Sequence, residues 1–255
     1  MKFSSKVKKC GLSPMRKFHP YAVAAEAKGR KIYHLNIGQP DVETPPQFFE
    51  AVRNFSQSVL EYAPSPGVPE LIDAVQKYYD NLNMHFEKDE ILITTGGSEA
   101  LSIVFQCILD DGDEVLIPEP FYPNYATMVN TTGASIHPIP TSPEEGYRYA
   151  DRAKIEAQIN EHTRAIVCTN PGNPTGVVLT PEEQRLMCDI AKEHNLFIIG
   201  DSISPTVLCR RAPAVLRGVR RCCGECYRHR YRLQTVLRLW CPGGCHPQPQ
   251  PRTAV

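Results

Sequence analysis

Two asparagines, each followed by a proline, stand directly after an apolar run near the middle of the chain. The stretch reads TNPGNPTGVVLT over residues 169–180 and follows the run AIVC. Proline fixes its own φ angle and restricts the residue before it, so each Asn-Pro step holds an amide side chain in a stiff turn. The two amides are therefore candidates for binding a ligand at the end of a strand.

Three other chemically capable groups also follow apolar runs. The segment GGSEAL (96–101) combines glycines, the Ser98 hydroxyl and the start of a helix, a combination that attracts an anion such as phosphate; a glycine turn with a serine cap is the structural alternative. The segment EPFYPNY (119–125) brings aromatic rings, which packing would explain equally well. Asp201 supplies a carboxylate, and many strand-end aspartates only cap a neighbouring turn.

The elements that must position these groups alternate between strand and helix. Five short β-branched or apolar runs predict strands, and longer stretches with helical spacing separate them. This order predicts an α/β fold with a mostly parallel central sheet and flanking helices, in which chemistry belongs at the carboxyl ends of the strands. The predicted strands are 91–95, 114–118, 134–139, 164–169 and 196–200.

The clearest helix signal is TPEEQRLMCDIAKEHN, which begins at Thr180. Thr180 is the expected N-cap, Pro181 occupies the first helical position, and Glu183 completes a capping box. Two further stretches, 69–82 and 98–109, have similar helical spacing.

Length and composition indicate a globular protein of one large domain or slightly more. The chain has 255 residues and balanced formal charge, with 28 basic and 28 acidic residues. The basic start MKFSSKVKKC has no apolar stretch behind it that could act as a signal peptide or membrane span, so we expect a cytoplasmic protein without a membrane partner. Its ten cysteines are therefore expected to be reduced thiols.

The balanced charge conceals two different compositions. Up to Asp201 there are 18 basic and 27 acidic residues, whereas residues 202–255 contain ten arginines, no lysine and one acidic residue, Glu225. Phenylalanine occurs nine times in the chain and never after Asp201. The predicted organisation is an N-terminal arm with part of a small domain (1–45), an incomplete cofactor-binding large domain (46–201) and an anomalous Cys/Arg/Pro-rich tail (202–255).

Together these motifs resemble the class I/II aminotransferases, pyridoxal-phosphate enzymes of fold type I. The resemblance covers residues 13–201, and NPGNPTG is a specific signature of the family. It implies an incomplete fold type I large domain. It also implies that Asn173 hydrogen-bonds the phenolic oxygen of the cofactor ring, across an Asn-Pro bond that is often cis. Asp201 would pair with the protonated ring nitrogen, and Tyr122 would stack on the ring face.

The resemblance also implies a phosphate site and a subunit partner. Tyr62 would reach the phosphate of the neighbouring subunit, which implies a homodimer, and Gly38 would lie against the substrate carboxylate. The implied partners are a small amino acid and a 2-oxo acid, between which the enzyme transfers an amino group; the choice of amino acid stays open. The implied phosphate donors are the backbone amides of Gly97, Ser98 and Glu99, together with the Ser98 hydroxyl.

The sequence departs from the family pattern after Asp201. The family continues with Glu, any residue and Tyr, whereas this chain has Ser204 in place of the tyrosine. The family lysine that forms the Schiff base with the cofactor is expected about thirty residues later, yet no lysine follows Lys192. A typical family member is also about half as long again. We therefore expect no catalytic lysine and an inactive, truncated chain.

A shift of reading frame near residue 202 explains the unusual tail. Residues 229–246 can be written as codons that, displaced by one base, encode Ser-Lys followed by Gly, Arg and Gly at the family spacing. Codon choice is partly free, but Gln234 permits only Lys or Arg in the shifted frame, and Trp240 permits only Gly. We therefore expect the tail to be a frameshift product that is largely unfolded, because it has little apolar periodicity.

Two other interpretations of the tail remain open. Cys223 and Cys226 form a C-x-x-C pair, which Cys241 with Cys245 or His246 could complete as a zinc site. The arginines could instead bind an acidic partner, but they lack the folded motif of a nucleic-acid-binding domain, so no nucleic-acid partner is expected. The alternative function is thus a non-catalytic, aminotransferase-like binding protein with a zinc-binding or acidic-partner-binding tail.

Overall fold

The computed structural model of the chain divides into two compact units. One unit is Leu12–Ser65, and the other combines Met1–Gly11 with Pro66–Val255. The residues that the structure describes are 1–11, 16–35, 42–81, 84–203, 226–231 and 235–240.

Helices and strands alternate through most of the chain, as the hydrophobic pattern predicts. The helices are α1 (Ser5–Lys8), α2 (His19–Glu26), α3 (Pro46–Arg53), α4 (Pro69–Asp80), α5 (Gly97–Ile108), α6 (Asn124–Thr132), α7 (Arg152–Glu156) and α8 (Pro181–Glu193). The strands are β1 (Ile93–Thr94), β2 (Glu114–Pro118), β3 (Ser135–Ile139), β4 (Thr163–Asn170), β5 (Phe197–Ile203), β6 (Cys226–Tyr231) and β7 (Thr235–Trp240). All five strands predicted between residues 91 and 200 are present.

The strands form one sheet in the order β1-β6-β7-β5-β4-β2-β3. The pairs β2–β3, β2–β4, β4–β5 and β1–β6 are parallel, and the pairs β5–β7 and β6–β7 are antiparallel. The mostly parallel sheet predicted from the alternating pattern is therefore confirmed. In a parallel sheet the carboxyl ends of β2, β4 and β5 lie along one edge.

Helices cover both faces of the sheet because side chains alternate between the faces along each strand. In β2, Leu116 packs in a cluster with α8, whereas Val115 and Ile117 pack in a second cluster with α5 and α6. In β5, Ile198 packs in the cluster with α8, and Ile199 packs in the cluster with α5 and α6. The continuous apolar runs in the sequence thus correspond to strands that are buried on both sides.

Helix α8 begins as its sequence predicts. The Thr180 hydroxyl accepts a hydrogen bond from the backbone N–H of Glu183, and the Glu183 carboxylate accepts one from the backbone N–H of Thr180. Pro181 occupies the first turn. The predicted apolar face is also present, with Ile190 and Ala191 buried and Leu186 packed against the same cluster.

Part of the tail differs from the prediction of an unfolded segment. Strands β6 and β7 each contain six residues of the tail and pair with each other and with β5 and β1. For these two strands the expectation of an unfolded chain does not match the structure. The other residues of 204–255 lie outside the described residues.

The unit Leu12–Ser65 contains the helices α2 and α3. None of its described residues is buried, and several large apolar side chains are exposed. In α3 the rings of Phe48 and Phe49 meet edge to face, with their centroids 5.5 Å apart.

Candidate active site

A cleft lies at the carboxyl ends of the strands, where the sequence predicts chemistry. Its walls include Thr169, Asn173 and the residues that follow β2, Glu119, Pro120 and Phe121. The register of β4 and β5 aligns Thr169 with Asp201. The sheet thus brings the start of the Asn-Pro segment and the strand-end carboxylate to neighbouring positions.

Tyr125 connects Asp201 with Thr169. Its phenolic oxygen donates a hydrogen bond of 2.5 Å to Asp201 Oδ2 and lies 2.8 Å from Thr169 Oγ1. Burial, followed by the negative charge of Asp201, raises the pKa of Tyr125 well above its ordinary value. The phenol therefore stays protonated and remains a donor to the carboxylate.

Tyr122 is held by the same turn of the chain. Asn124 Nδ2 donates a hydrogen bond of 2.7 Å to the Tyr122 hydroxyl. The Tyr122 and Tyr125 rings meet edge to face with centroids 5.7 Å apart and an interplanar angle of 90°. The start of α6 thus positions the ring that the sequence predicts as a stacking face, and it also positions the phenol that contacts Asp201.

The two asparagines of the Asn-Pro segment have different surroundings. Asn170 is buried, and its Oδ1 accepts a hydrogen bond of 3.0 Å from Leu179 N, which closes the segment on itself. Asn173 is exposed and lies in the cleft. Both Asn-Pro bonds are cis, including Asn173-Pro174 as the resemblance implies. Asn170 is therefore structural, and Asn173 is the amide that can reach a ligand.

The turn that carries Asn173 is held by backbone hydrogen bonds. Gly172 N donates to Val177 O at 2.7 Å, and Gly176 N donates to Gly172 O at 2.8 Å. Gly176 has a φ of +73°, a left-handed conformation that favours glycine. These contacts fix the Asn173 backbone without using its side chain.

A second buried tyrosine borders the cleft and lacks such contacts. Tyr149 is 3% exposed, and its hydroxyl has no hydrogen-bond partner among the described residues. Burial raises the pKa of Tyr149 well above its ordinary value, so this phenol is also neutral. A buried hydroxyl without a partner costs free energy, which makes Tyr149 a useful contrast to Tyr125.

The predicted phosphate site lies at the start of α5. Gly96 is the N-cap, and the helix runs from Gly97 to Ile108. The amides of Gly97 and Ser98 make no hydrogen bond within the described residues, and the side chain of Ser98 is exposed. Free N–H groups at a helix N-terminus bind anions, aided by the helix dipole.

Glu99 is already engaged within this turn. Its backbone N–H donates a hydrogen bond of 3.0 Å to Gly96 O. Its carboxylate accepts hydrogen bonds from Thr95 N at 2.6 Å and from Thr95 Oγ1 at 2.8 Å. The two hydrogen bonds from Thr95 lower the pKa of Glu99, and the bond from the Thr95 backbone has the larger effect. Of the three predicted amide donors, Gly97 and Ser98 are therefore better placed than Glu99 to contact a phosphate.

The remaining two predicted residues are Tyr62 and Gly38. Tyr62 belongs to the unit Leu12–Ser65, and its side chain is fully exposed. Gly38 lies outside the described residues. Tyr125 and Thr169, in contrast, were not predicted as site residues. A signal for Tyr125 existed, because it follows Tyr122 by three positions at the start of a helix, where residues three apart share a face.

Comparison with known proteins identifies the family. The profile of the family "Aminotransferase class I and II" matches residues 30–203, which is more than half of the chain. The chain therefore belongs to the class I and II aminotransferases. It is 36% identical over 184 residues to a probable aspartate/prephenate aminotransferase of Thermus aquaticus, covering 71% of this chain and 48% of that protein.

Other relatives and solved structures agree with this assignment. An aspartate aminotransferase of Bacillus subtilis is 33% identical over 189 residues, covering 71% of this chain and 48% of the relative. An alanine aminotransferase from Pyrococcus furiosus has a TM-score of 0.83 at 26% identity, with 94% of this chain and 63% of that chain covered. An aspartate aminotransferase from Thermus thermophilus has a TM-score of 0.80 at 27% identity, with 95% and 65% covered. The chain spans about half the length of the curated relatives that it matches.

None of the described helices is long and apolar enough to cross a membrane. Within the same residues, no group of three or more His, Cys, Asp or Glu side chains could hold a metal ion. The tail positions proposed for zinc, Cys223, Cys241, Cys245 and His246, lie outside the described residues, so the zinc hypothesis stays a prediction.

Proposed function

We propose that the larger unit of this chain binds pyridoxal 5′-phosphate without covalent attachment, as an aminotransferase-type cofactor site that lacks the family lysine. The contact of Asp201 with Tyr125 carries the proposal, since it holds a carboxylate at the strand ends and beside the turn that also carries Tyr122. In a family member that has the lysine, the same site would serve transfer of an amino group between an amino acid and a 2-oxo acid.

The residues present fit this cofactor by the chemistry of their donors and acceptors. Gly97 and Ser98 offer amides, and Ser98 also offers a hydroxyl, for a phosphate at the start of α5. Asp201 is the group that would pair with a protonated ring nitrogen, and the Asn173 amide would donate to the phenolic oxygen. Tyr122 has a ring already held by Asn124. Glu99 fits less well, because its amide is already used.

Each residue has a defined task in such a site. Pyridoxal phosphate, when bound, supplies an electron sink for the charge that develops at the α-carbon of an amino acid. Asp201 holds a positive charge at the ring nitrogen, which strengthens that sink. Tyr122 fixes the plane of the ring, and Ser98 anchors the phosphate. In the family, a lysine serves as the base for proton transfer at the substrate α-carbon, and no lysine follows Lys192 in this sequence.

Substrate class and assembly are part of the same proposal. Three of the relatives are named aspartate/prephenate aminotransferases, which favours dicarboxylic amino acids as donors in complete members of this branch. Tyr62, whose side chain is fully exposed, is available to reach the cofactor phosphate of a second subunit. We expect cofactor binding by this chain to be weaker than in a complete dimer.

The binding test uses pyridoxamine 5′-phosphate, which has no aldehyde and cannot react with surface lysines. Titration calorimetry of the whole chain should show saturable binding. Ser98→Ala should weaken it about fivefold, the loss expected for one hydrogen bond of about 1 kcal/mol. Asp201→Asn should weaken it at least tenfold, because a charged pair is lost.

Ser102→Ala is the matched control for Ser98→Ala. Ser102 lies one turn further along α5, and its hydroxyl donates to Ser98 O at 2.8 Å. This variant should change the affinity less than about twofold. Pyridoxamine without the phosphate should bind more weakly, and Ser98→Ala should not affect that binding. Absence of saturable binding, or equal effects of the two serine variants, would contradict the proposal.

The gene sequence tests why the lysine is missing. We propose a displaced reading frame near codon 202. Sequencing should then show, in the shifted frame, a lysine codon near position 234 and an open frame that continues past codon 255. A stop codon in that frame before the expected Ser-Lys would exclude the frameshift and favour the alternative of a genuine tail.

A further inference from the structure

We propose that Tyr125, supported by Thr169, is a positioning residue that keeps Asp201 ionised and oriented, and so determines the protonation of a pyridine ring bound beside it. The proposal rests on the proposed cofactor site and adds two residues that were not assigned to it. Its basis is the chain of contacts Thr169–Tyr125–Asp201 at the carboxyl ends of β4 and β5.

The first argument is the direction of the hydrogen bonds. A phenol has one hydrogen, and Tyr125 donates it to Asp201 Oδ2 at 2.5 Å. The 2.8 Å contact with Thr169 must then be a bond in which the Thr169 hydroxyl donates to the phenolic oxygen. Hydrogen bonds in such a chain polarise each other and strengthen the last donor. The arrangement therefore favours a negatively charged Asp201 over a neutral one.

The second argument is the cost of burying a phenol. Tyr125 is 0% exposed and packs in the cluster formed with α5 and α6. Phenylalanine would fill the same space without the desolvation cost of a hydroxyl. The Tyr125 hydroxyl is compensated by its two partners, whereas the Tyr149 hydroxyl has no partner among the described residues. The hydroxyl of Tyr125 is therefore directed at the site and is not incidental to packing.

The third argument is that Thr169, Asp201 and Tyr125 come from three separate elements, β4, β5 and α6. The sheet register aligns Thr169 with Asp201, so their relative position is fixed by backbone hydrogen bonds. Tyr125 comes from the first turn of α6, the same turn that holds Tyr122. One turn thus fixes both the ring face and the carboxylate, so that movement of α6 would disturb both at once.

The test measures protonation of the bound ring in the whole chain. Pyridoxamine 5′-phosphate labelled with ¹⁵N in the ring reports pyridinium and pyridine as different NMR shifts. In the original chain the ring should stay protonated to higher pH than in free solution. Tyr125→Phe should lower the ring titration midpoint by about one pH unit, a tenfold loss in proton affinity. Asp201→Asn should abolish the elevation.

Thr169 provides a conservative pair of variants. Thr169→Ser keeps the hydroxyl and should leave the ring titration unchanged, whereas Thr169→Val keeps the shape and should lower the midpoint by about half a unit. A purely structural role would make these two variants differ in stability without moving the ring titration. Identical ring titrations in the original chain and in Tyr125→Phe would overturn the proposal.

A ligand-free measurement separates this inference from the cofactor proposal. If pyridoxamine phosphate does not bind to the original chain, the proposed function fails. The ¹³C shift of the Asp201 carboxylate still reports the contact with Tyr125 in that case. Its titration midpoint should move to higher pH in Tyr125→Phe, since the donor that favours the ionised form is lost. An unchanged midpoint in the ligand-free chain would refute the inference.

Discussion

Removal of a single hydroxyl from each of two buried tyrosines should have different effects on stability. Tyr125→Phe removes a hydrogen bond to a carboxylate and leaves Thr169 without an acceptor for its proton. Hydrogen bonds to charged groups contribute about 1.5–3 kcal/mol, so we expect a loss of about 2 kcal/mol in the free energy of unfolding. Tyr149→Phe removes a hydroxyl that has no partner among the described residues. Its unfolding free energy should be unchanged or up to about 1 kcal/mol higher.

Urea unfolding followed by far-ultraviolet circular dichroism measures both changes. The two substitutions delete the same atom from side chains of similar burial, 0% and 3% exposed, so lost apolar packing does not distinguish them. The slope against urea should stay constant, which shows that only stability has changed. Equal destabilisation by the two substitutions, or a larger loss from Tyr149→Phe, would refute the hydrogen-bond assignment on which the site depends.

Substitutions at three further positions test the local reasoning. Hydrogen bonds lower the pKa of Glu114 from its ordinary value of 4.5, and the bond from Asn160 has the largest effect. The stability that these bonds give the folded chain is therefore present above pH 4.5 and is lost as the pH falls below it. Unfolding free energies between pH 6 and pH 3 should therefore fall more steeply for the original chain than for Glu114→Gln, and parallel curves would contradict this. Gly133→Ala should destabilise by more than about 1 kcal/mol in urea, because the position has a φ of +98°, a left-handed conformation that is strained for any residue with a Cβ; an unchanged midpoint would contradict this backbone argument. Thr180→Ala should cost about 1 kcal/mol by the same assay through loss of the α8 cap, whereas Thr180→Ser should not.

The regular part of the fold could be predicted because local signals and burial agree there. The run EVLIP predicts β2 at its observed bounds, and the capping box predicts the start of α8. Strands β6 and β7 could not be predicted, because the tail has neither apolar alternation nor a hairpin signal that distinguishes it from an unfolded chain. Their position within the sheet depends on pairing with β5 and β1, a long-range contact that local pattern does not encode.

The candidate site was predictable in its residue types and less so in its contacts. Motif resemblance selected Asn173 and Asp201; the structure aligns Asp201 with Thr169, four residues before Asn173, and places Asn173 in the wall of the cleft. The residue pattern by itself did not separate the exposed Asn173 from the buried Asn170, because both precede proline. It also did not reveal that the amide of Glu99 is occupied, since that contact depends on the geometry of one turn.

Reductive trapping tests the central claim that this chain carries a cofactor site without the family lysine. The chain is incubated with pyridoxal 5′-phosphate, reduced with borohydride and analysed by peptide mass spectrometry, with transaminase assays on the unreduced sample. We predict no transaminase activity. Any covalently attached cofactor should be spread over surface lysines. The amount attached should be the same in Asp201→Asn and should not change when excess pyridoxamine 5′-phosphate is added. Stoichiometric attachment to one lysine, prevented by pyridoxamine 5′-phosphate and lost in Asp201→Asn, would show that the chain does supply a catalytic lysine and would contradict the account.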